Sequence, residues 1–343
     1  MNGMKQIFLR LAALAGALLL LAGCGGRAAS GAPLRRTVFA MDTVMNLTVC
    51  GASDADLQAA EDELTRLDAA LARTRAGSDV YTLNHTGSVR SAALAELCAR
   101  ANELAAETGG LFDVTVAPVL ALWGFGENTG DLRVPDGAAL AEALSRVGYE
   151  RLSVDGDGET VRLALPAQVD FGGVAKGFAA DRLLRLLDRT GGAVLDLGGD
   201  VALRGTRDDG SRWRVAIRDP ADAGAYLGVL ETTDVCVMTS GVYERYFEQD
   251  GVRYHHILDP RTGYPADSGV VSATVVCESG VRADALATAC CAAGADAALR
   301  LRETLADVVP FDLILVTDDA RVLYTCADFT PEPGNSYTYE AVS

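Results

Sequence analysis

A change of period near Ala193 restricts this chain more than any other feature: helical spacing dominates before it and short alternating runs after it. Leu57, Leu64, Leu67 and Leu71 fall on one helical face behind Asp54, which reads as the cap. A second helix is predicted from Ser91 to Thr108, stopped by Gly109-Gly110, and a third from near Asp136. Another opens at Asp170-Phe171-Gly172-Gly173 and runs to about Arg189. Alternation from Thr37 to Val49 reads as one opening strand, and Leu152 to Leu165 as a hairpin turning through Asp155-Gly156-Asp157-Gly158. Beyond the switch, strands are expected at Ala193 to Leu197, Val201 to Gly205, Trp213 to Ile217, Leu227 to Glu231 and Val270 to Val276. Helices from Val281 to Ala292 and near Ala295 to Leu305, and a hairpin through Asp318-Asp319, complete the pattern. Such an order predicts the α+β class, a single two-lobed body with mixed and antiparallel sheets flanked by helices.

The N-terminus reads as an export signal. Lys5 and Arg10 precede the apolar run Leu11 to Leu21, and Leu21-Ala22-Gly23-Cys24 follows directly. The run is much shorter than the roughly 20 residues of a membrane-spanning helix. Residues 1–23 are therefore expected to be a lipoprotein signal peptide, 24–36 a lipidated Cys24 with a flexible linker, and 37–343 the working body. This predicts an exported protein anchored to a lipid bilayer through Cys24 and facing the periplasm or the cell exterior. Loss of the leader moves the formal charge from −17 to −19, because it removes Lys5 and Arg10 and no acid. So acidic a body argues against nucleic acid as a partner. To hold an anion it needs a metal or local amides. Cys50, Cys98, Cys236, Cys277, Cys290, Cys291 and Cys326 have no zinc-ligand spacing and read as small buried apolar residues.

Several segments carry more polar chemistry than a core requires. Asp284 and Thr288 lie four apart on one predicted helix, so their oxygens can reach one point and form part of a Mg²⁺ shell. Asp170-Phe171-Gly172-Gly173-Val174-Ala175-Lys176-Gly177 lets backbone approach a ligand at a helix N-terminus, with Lys176 one turn in. Leu197-Gly198-Gly199-Asp200 reads as a structural turn. His255 and His256 are two of three histidines, and Asp259 follows three residues after His256. One of the pair can face a cleft as a general base, tuned by the carboxylate. His85 reads as surface, and Thr239-Ser240-Gly241 offers hydroxyls and amides suited to phosphate.

Together these segments resemble the FAD:protein FMN transferases, also called ApbE-like proteins and formerly thiamine-biosynthesis lipoproteins. The likeness runs through Met41-Asp42-Thr43, Thr108 to Asp113 with Pro118 and Leu122 to Gly126, and Val169 to Gly177 with Asp181. It continues through Gly198-Gly199-Asp200, Trp213 to Pro220, Thr239 to Arg245, His255 to Pro265 and Ala283 to Thr288. The resemblance implies that FAD lies in a cleft between lobes and that Mg²⁺ bridges its diphosphate. Asp284 and Thr288 would be side-chain ligands, with a backbone carbonyl from the turn containing Gly173 and Ala175. Met41, Leu111, Phe112, Asp113, Asp170, Lys176, Asp181, Thr239, Ser240 and Ile257 would line or bind the flavin nucleotide. His256, with Asp259, would take the proton from a threonine of an exported or membrane-bound acceptor protein, which receives FMN while AMP leaves. The acceptor would carry an Asp-Gly-x-Ser/Thr-Gly-Ala-Thr-like sequence. Asp42 stands where the family usually has glycine, and Arg73 to Ser78 lacks the aromatic or asparagine often found before the serine. Two other activities are compatible with the same residues: FAD diphosphatase, with water as acceptor, and a flavin-binding lipoprotein that does no chemistry.

Overall fold

The computed structural model describes residues 32–126 and 132–342, so Cys24 and the leader 1–23 lie outside the described residues. The chain opens with the hairpin β1 (Leu34–Ala40) and β2 (Thr43–Val49), then α1 (Asp54–Leu71), α2 (Asp79–Thr86), β3 (Ser88–Arg90) and α3 (Ala92–Glu107). Next come α4 (Ala117–Trp123), α5 (Gly137–Leu144), β4 (Leu152–Val154), β5 (Thr160–Leu163) and α6 (Ala175–Leu186). A run of strands follows: β6 (Ala193–Asp196), β7 (Val201–Arg204), β8 (Trp213–Arg218), β9 (Tyr226–Thr232), β10 (Cys236–Gly241), β11 (Tyr246–Gln249), β12 (Val252–His255) and β13 (Val270–Cys277). Then α7 (Gly280–Ala293) and α8 (Ala295–Leu305) lead to β14 (Asp312–Thr317), β15 (Arg321–Tyr324), β16 (Phe329–Pro331) and β17 (Thr338–Ala341).

The class is α+β. A nine-stranded sheet runs β1-β2-β6-β7-β10-β13-β14-β15-β17, antiparallel except for the β15–β17 pair. Its two faces pack against different partners, and the period-two pattern sorts the side chains between them. On β14, Leu313 and Leu315 join a large core shared with α1, α3, α6 and α7, whereas Ile314 and Val316 join a second core. That second core lies against the small sheet β16-β9-β8, through Ile217, Leu227, Leu230 and Phe329. A third cluster, around Val119, Trp123, Phe125, Leu140 and Leu258, builds the second lobe from α4, α5 and the β11–β12 hairpin's surroundings.

Local sequence accounts for most ends. Ser53, rather than Asp54, caps α1 in a capping box with Asp56, Ser91 caps α3 and Asp136 caps α5. The expected single strand Thr37 to Val49 is instead the β1–β2 hairpin, which starts within the predicted linker and turns at Met41 and Asp42. Both turn residues have positive φ, 49° and 59°, the geometry of a tight hairpin turn. Glycine adopts that backbone at least cost, and aspartate is among the few side chains that tolerate it. All seven cysteines from Cys50 onward are buried and unbridged.

Candidate active site

A cleft of about 860 Å³ opens between the two lobes, at the upper end of the roughly 300–1,000 Å³ common for small-molecule sites. Its floor is the junction of α6 and α7. A Cβ on Gly177 would lie 2.1 Å from the Gly280 carbonyl oxygen, so only glycines allow this helix crossing. The close approach lets the Gly177 N–H donate to Asp284 Oδ2 at 2.9 Å. Asp181, expected to bind the cofactor, does not line the cleft. It accepts hydrogen bonds from Ser279 Oγ, Gly280 N–H and Val281 N–H and so caps α7 from the neighbouring helix. The capping role that an early helical aspartate usually fills is thereby taken, and Asp284 is left to face the cleft.

Asp284 is buried, and desolvation together with the nearby Asp200 carboxylate pushes its pKa up. A buried carboxylate in that state favours a bound cation. Thr288 lies one turn further on, its Oγ1 3.0 Å from Ser240 Oγ. The α6 entry loop approaches from the other side: a Cβ on Gly173 would meet Thr288 Oγ1 at 3.2 Å. Carboxylate, hydroxyl and a closely approaching loop backbone are the donor types of a partial oxygen shell. Among the described residues there is no group of three His, Cys, Asp or Glu that could hold a metal. Such a partial shell suits Mg²⁺, which completes its octahedron with water and phosphate oxygens, and does not suit a metal held wholly by protein.

Cationic groups face this acidic floor. Lys176 forms an ion pair with Asp200. Burial alone would lower the ammonium's pKa, but Asp200, Asp284 and Glu244 outweigh it and raise it, so Lys176 stays charged. Apart from the Asp284 carboxylate on the Gly177 N–H, no side chain caps the N-terminus of α6, whose residues Ala175 and Lys176 line the cleft. A helix N-terminus beside a lysine suits a diphosphate.

The opposite wall comes from the second lobe. His256 lines the cleft, while His255 turns its Nε2 to the Ala266 carbonyl at 3.1 Å. The His256 Nδ1 is 3.2 Å from the Arg245 carbonyl oxygen. A carbonyl can only accept, so Nδ1 carries the proton and Nε2 is left as the acceptor. Burial, then the Arg245 charge, pushes the imidazole pKa down to about 3, which keeps the ring neutral. Asp259 departs from expectation. It sits in the tight turn to Gly263, receives the Arg261 N–H at 2.9 Å and Arg261 Nη2 at 2.7 Å, and makes no bond to His256. That guanidinium holds the Asp259 pKa below the usual carboxylate range.

Met41, Leu111, Phe112, Asp113, Asp170, Thr239, Ser240 and Ile257 all line the cleft. Asp113 turns Oδ1 to its own loop, accepting the Thr115 N–H and Oγ1–H at 2.8 and 2.6 Å. Asp170 accepts the Gly172 N–H at 2.8 Å and meets Arg73 Nε at 3.1 Å. Met41 is fixed by its N–H donating to Asp68 Oδ1 at 2.8 Å. Gly198 also reaches the cleft, so the Gly198-Gly199 turn is part of the site as well as of the scaffold. The sequence reading missed Arg73, Arg218, Tyr243, Glu244 and Arg245, which line the same walls. Arg218, Tyr243, Glu244 and Arg245 lay in segments that resemble the family, and Arg73 in one that departs from it.

Comparison with known proteins points one way. Residues 41–310 match the model of the ApbE family. A Treponema pallidum FAD:protein FMN transferase is 34% identical over 342 residues, covering 92% of this chain and 93% of its own. The crystal structure of the ApbE protein of Thermotoga maritima superposes with a TM-score of 0.74 at 32% identity, covering 82% of this chain and 94% of its own. The apo Pseudomonas stutzeri flavinyl transferase ApbE gives 0.73 at 31% identity, over 82% of this chain and 91% of its own.

Proposed function

This chain belongs to the ApbE family, and on that premise we propose that it is a Mg²⁺-dependent FAD:protein FMN transferase acting on a threonine of exported acceptor proteins. The observation that supports this reading best is the convergence of Asp284, Thr288, the Gly173 loop and His256 on one cleft. FAD is the substrate, FMN is joined to the threonine oxygen as a phosphoester, and AMP leaves. Asp284, Thr288 and the loop backbone between Gly173 and Ala175 would hold the metal. When bound, Mg²⁺ supplies charge neutralisation for the diphosphate. Lys176 and the α6 N-terminus bind the same phosphates from the protein side. Phosphoryl transfer asks the protein mainly for position and charge, and the walls around Met41, Phe112 and Ile257 position the flavin nucleotide. His256 Nε2 receives the proton of the threonine hydroxyl, and the Arg245 carbonyl keeps its ring in the accepting tautomer. The leader and Cys24 place the enzyme outside the cytoplasm, tethered to a bilayer, where a short leash raises its concentration near membrane-bound acceptors.

Two substitutions test the assignment. Asp284→Ala removes Mg²⁺-dependent FAD binding and turnover together, and His256→Ala keeps FAD binding but loses transfer. Turnover by Asp284→Ala at the wild-type rate would place the metal elsewhere.

A further inference from the structure

A second groove, of about 350 Å³, opens off the cleft and shares Gly198, Arg218, Thr239, Tyr243 and Glu244 with it. All six residues of β8, Trp213 to Arg218, line this groove. Side chains alternate across a strand, so a cavity against one face would meet every second residue. Contact with six in a row marks the strand's edge. β8 is the outer strand of its sheet and pairs with β9 alone. On such a strand alternate residues turn their N–H and C=O groups outward, ready to pair with an added strand.

The edge is directed at the chemistry. A register shift opposite Ile217 and Arg218, with Leu227 the extra residue on β9, raises the local twist of the β8–β9 pair where the groove meets the cleft. The exposed positions of the strand are Arg214, Ala216 and Arg218, a cationic rail on a chain of net charge −17. Arg214 meets Glu231 at 3.1 Å, whereas Arg218 forms no salt bridge among the described residues. Six residues of strand span about 20 Å. A peptide lying along them ends at the wall of the cleft.

Resting on the transferase reading, we propose that this groove is the acceptor site: an extended, neutral-to-acidic segment of the acceptor protein adds to the free edge of β8 and delivers its threonine past Arg218 into the cleft. Backbone pairing supplies affinity with little demand on sequence, and one enzyme can then serve several acceptors.

The test uses a synthetic peptide, Asp-Gly-Ala-Ser-Gly-Ala-Thr, and Ala216→Trp, which adds bulk beside the β8 edge at a groove-lining residue that does not line the cleft. The variant is expected to raise the peptide KM at least tenfold while leaving the FAD Kd unchanged, which also shows that it is folded. Independently, the same peptide with its threonine replaced by valine slows amide exchange in residues 213–218 of the wild type. Either an unchanged peptide KM or unprotected β8 amides overturns the proposal. A wild type that never labels the peptide counts against the transferase reading instead; the exchange experiment still decides on the groove, since it needs only binding.

Discussion

Gly177→Ala isolates the physical link between the fold and the proposed metal site. The substitution suits helix propensity, and Gly177 has no left-handed φ, so backbone conformation gives no reason for harm. The harm comes from space. An added Cβ lies 2.1 Å from Gly280 O, 2.5 Å from Gly280 C and 2.7 Å from Asp284 Cβ. Ordinary contact begins near 3.4 Å, so α6 and α7 must part by about 1.3 Å. Overpacking of this kind costs about 1–3 kcal/mol, and losing the Gly177 hydrogen bond to a buried carboxylate costs about 1.5–3 kcal/mol more. A destabilisation of about 3–5 kcal/mol is expected in urea unfolding. The displacement of Asp284 also exceeds the roughly 0.2 Å latitude of a metal ligand, so Mg²⁺-dependent FAD binding falls at least tenfold in titrations followed by flavin fluorescence. Gly137→Ala, where an added Cβ meets nothing within 4 Å, serves as the control: it leaves FAD binding unchanged and does not lower stability. Stability within about 0.5 kcal/mol of wild type together with normal FAD binding would refute this account of the α6–α7 junction.

Two further outcomes follow from the His256 wall. The unfolded imidazole titrates near 6.5 and the folded one near 3, so the unfolded chain binds more protons in that window and His256 makes stability rise with pH across it; an NMR titration therefore shows no His256 ring ionisation between pH 8 and 5, and a midpoint near 6.5 would contradict its burial. Asp259→Asn leaves transfer within about threefold of wild type in a labelling assay, because the carboxylate is held by Arg261 and not by the histidine; a hundredfold loss would restore it to the proton-transfer machinery.

Much of this molecule is legible in its sequence where the cause is local. Ser91 with Gly109-Gly110 bounds α3, and Asp136 starts α5, because caps act within one turn. The Met41–Asp42 turn escaped because no glycine or asparagine marks it, and unbroken alternation reads straight through a two-residue loop. Within the site, the Asp284–Thr288 pair and the Gly172-Gly173 loop were readable because each is a short-range pattern. The roles of Asp181 and Asp259 were not, since one depends on where α7 packs and the other on the turn to Arg261. Arg73, Arg218 and Arg245 reach the cleft from three separate elements. No spacing along the chain announces that kind of convergence.

The central claim is tested most directly by incubating the protein with FAD, Mg²⁺ and an acceptor domain carrying the threonine sequence, then measuring covalent flavin on the acceptor and AMP in solution. The account predicts fluorescent, flavin-bearing acceptor and one AMP for each label, abolished by chelation of the metal. AMP with free FMN and an unlabelled acceptor would contradict it, and would make this cleft a diphosphatase.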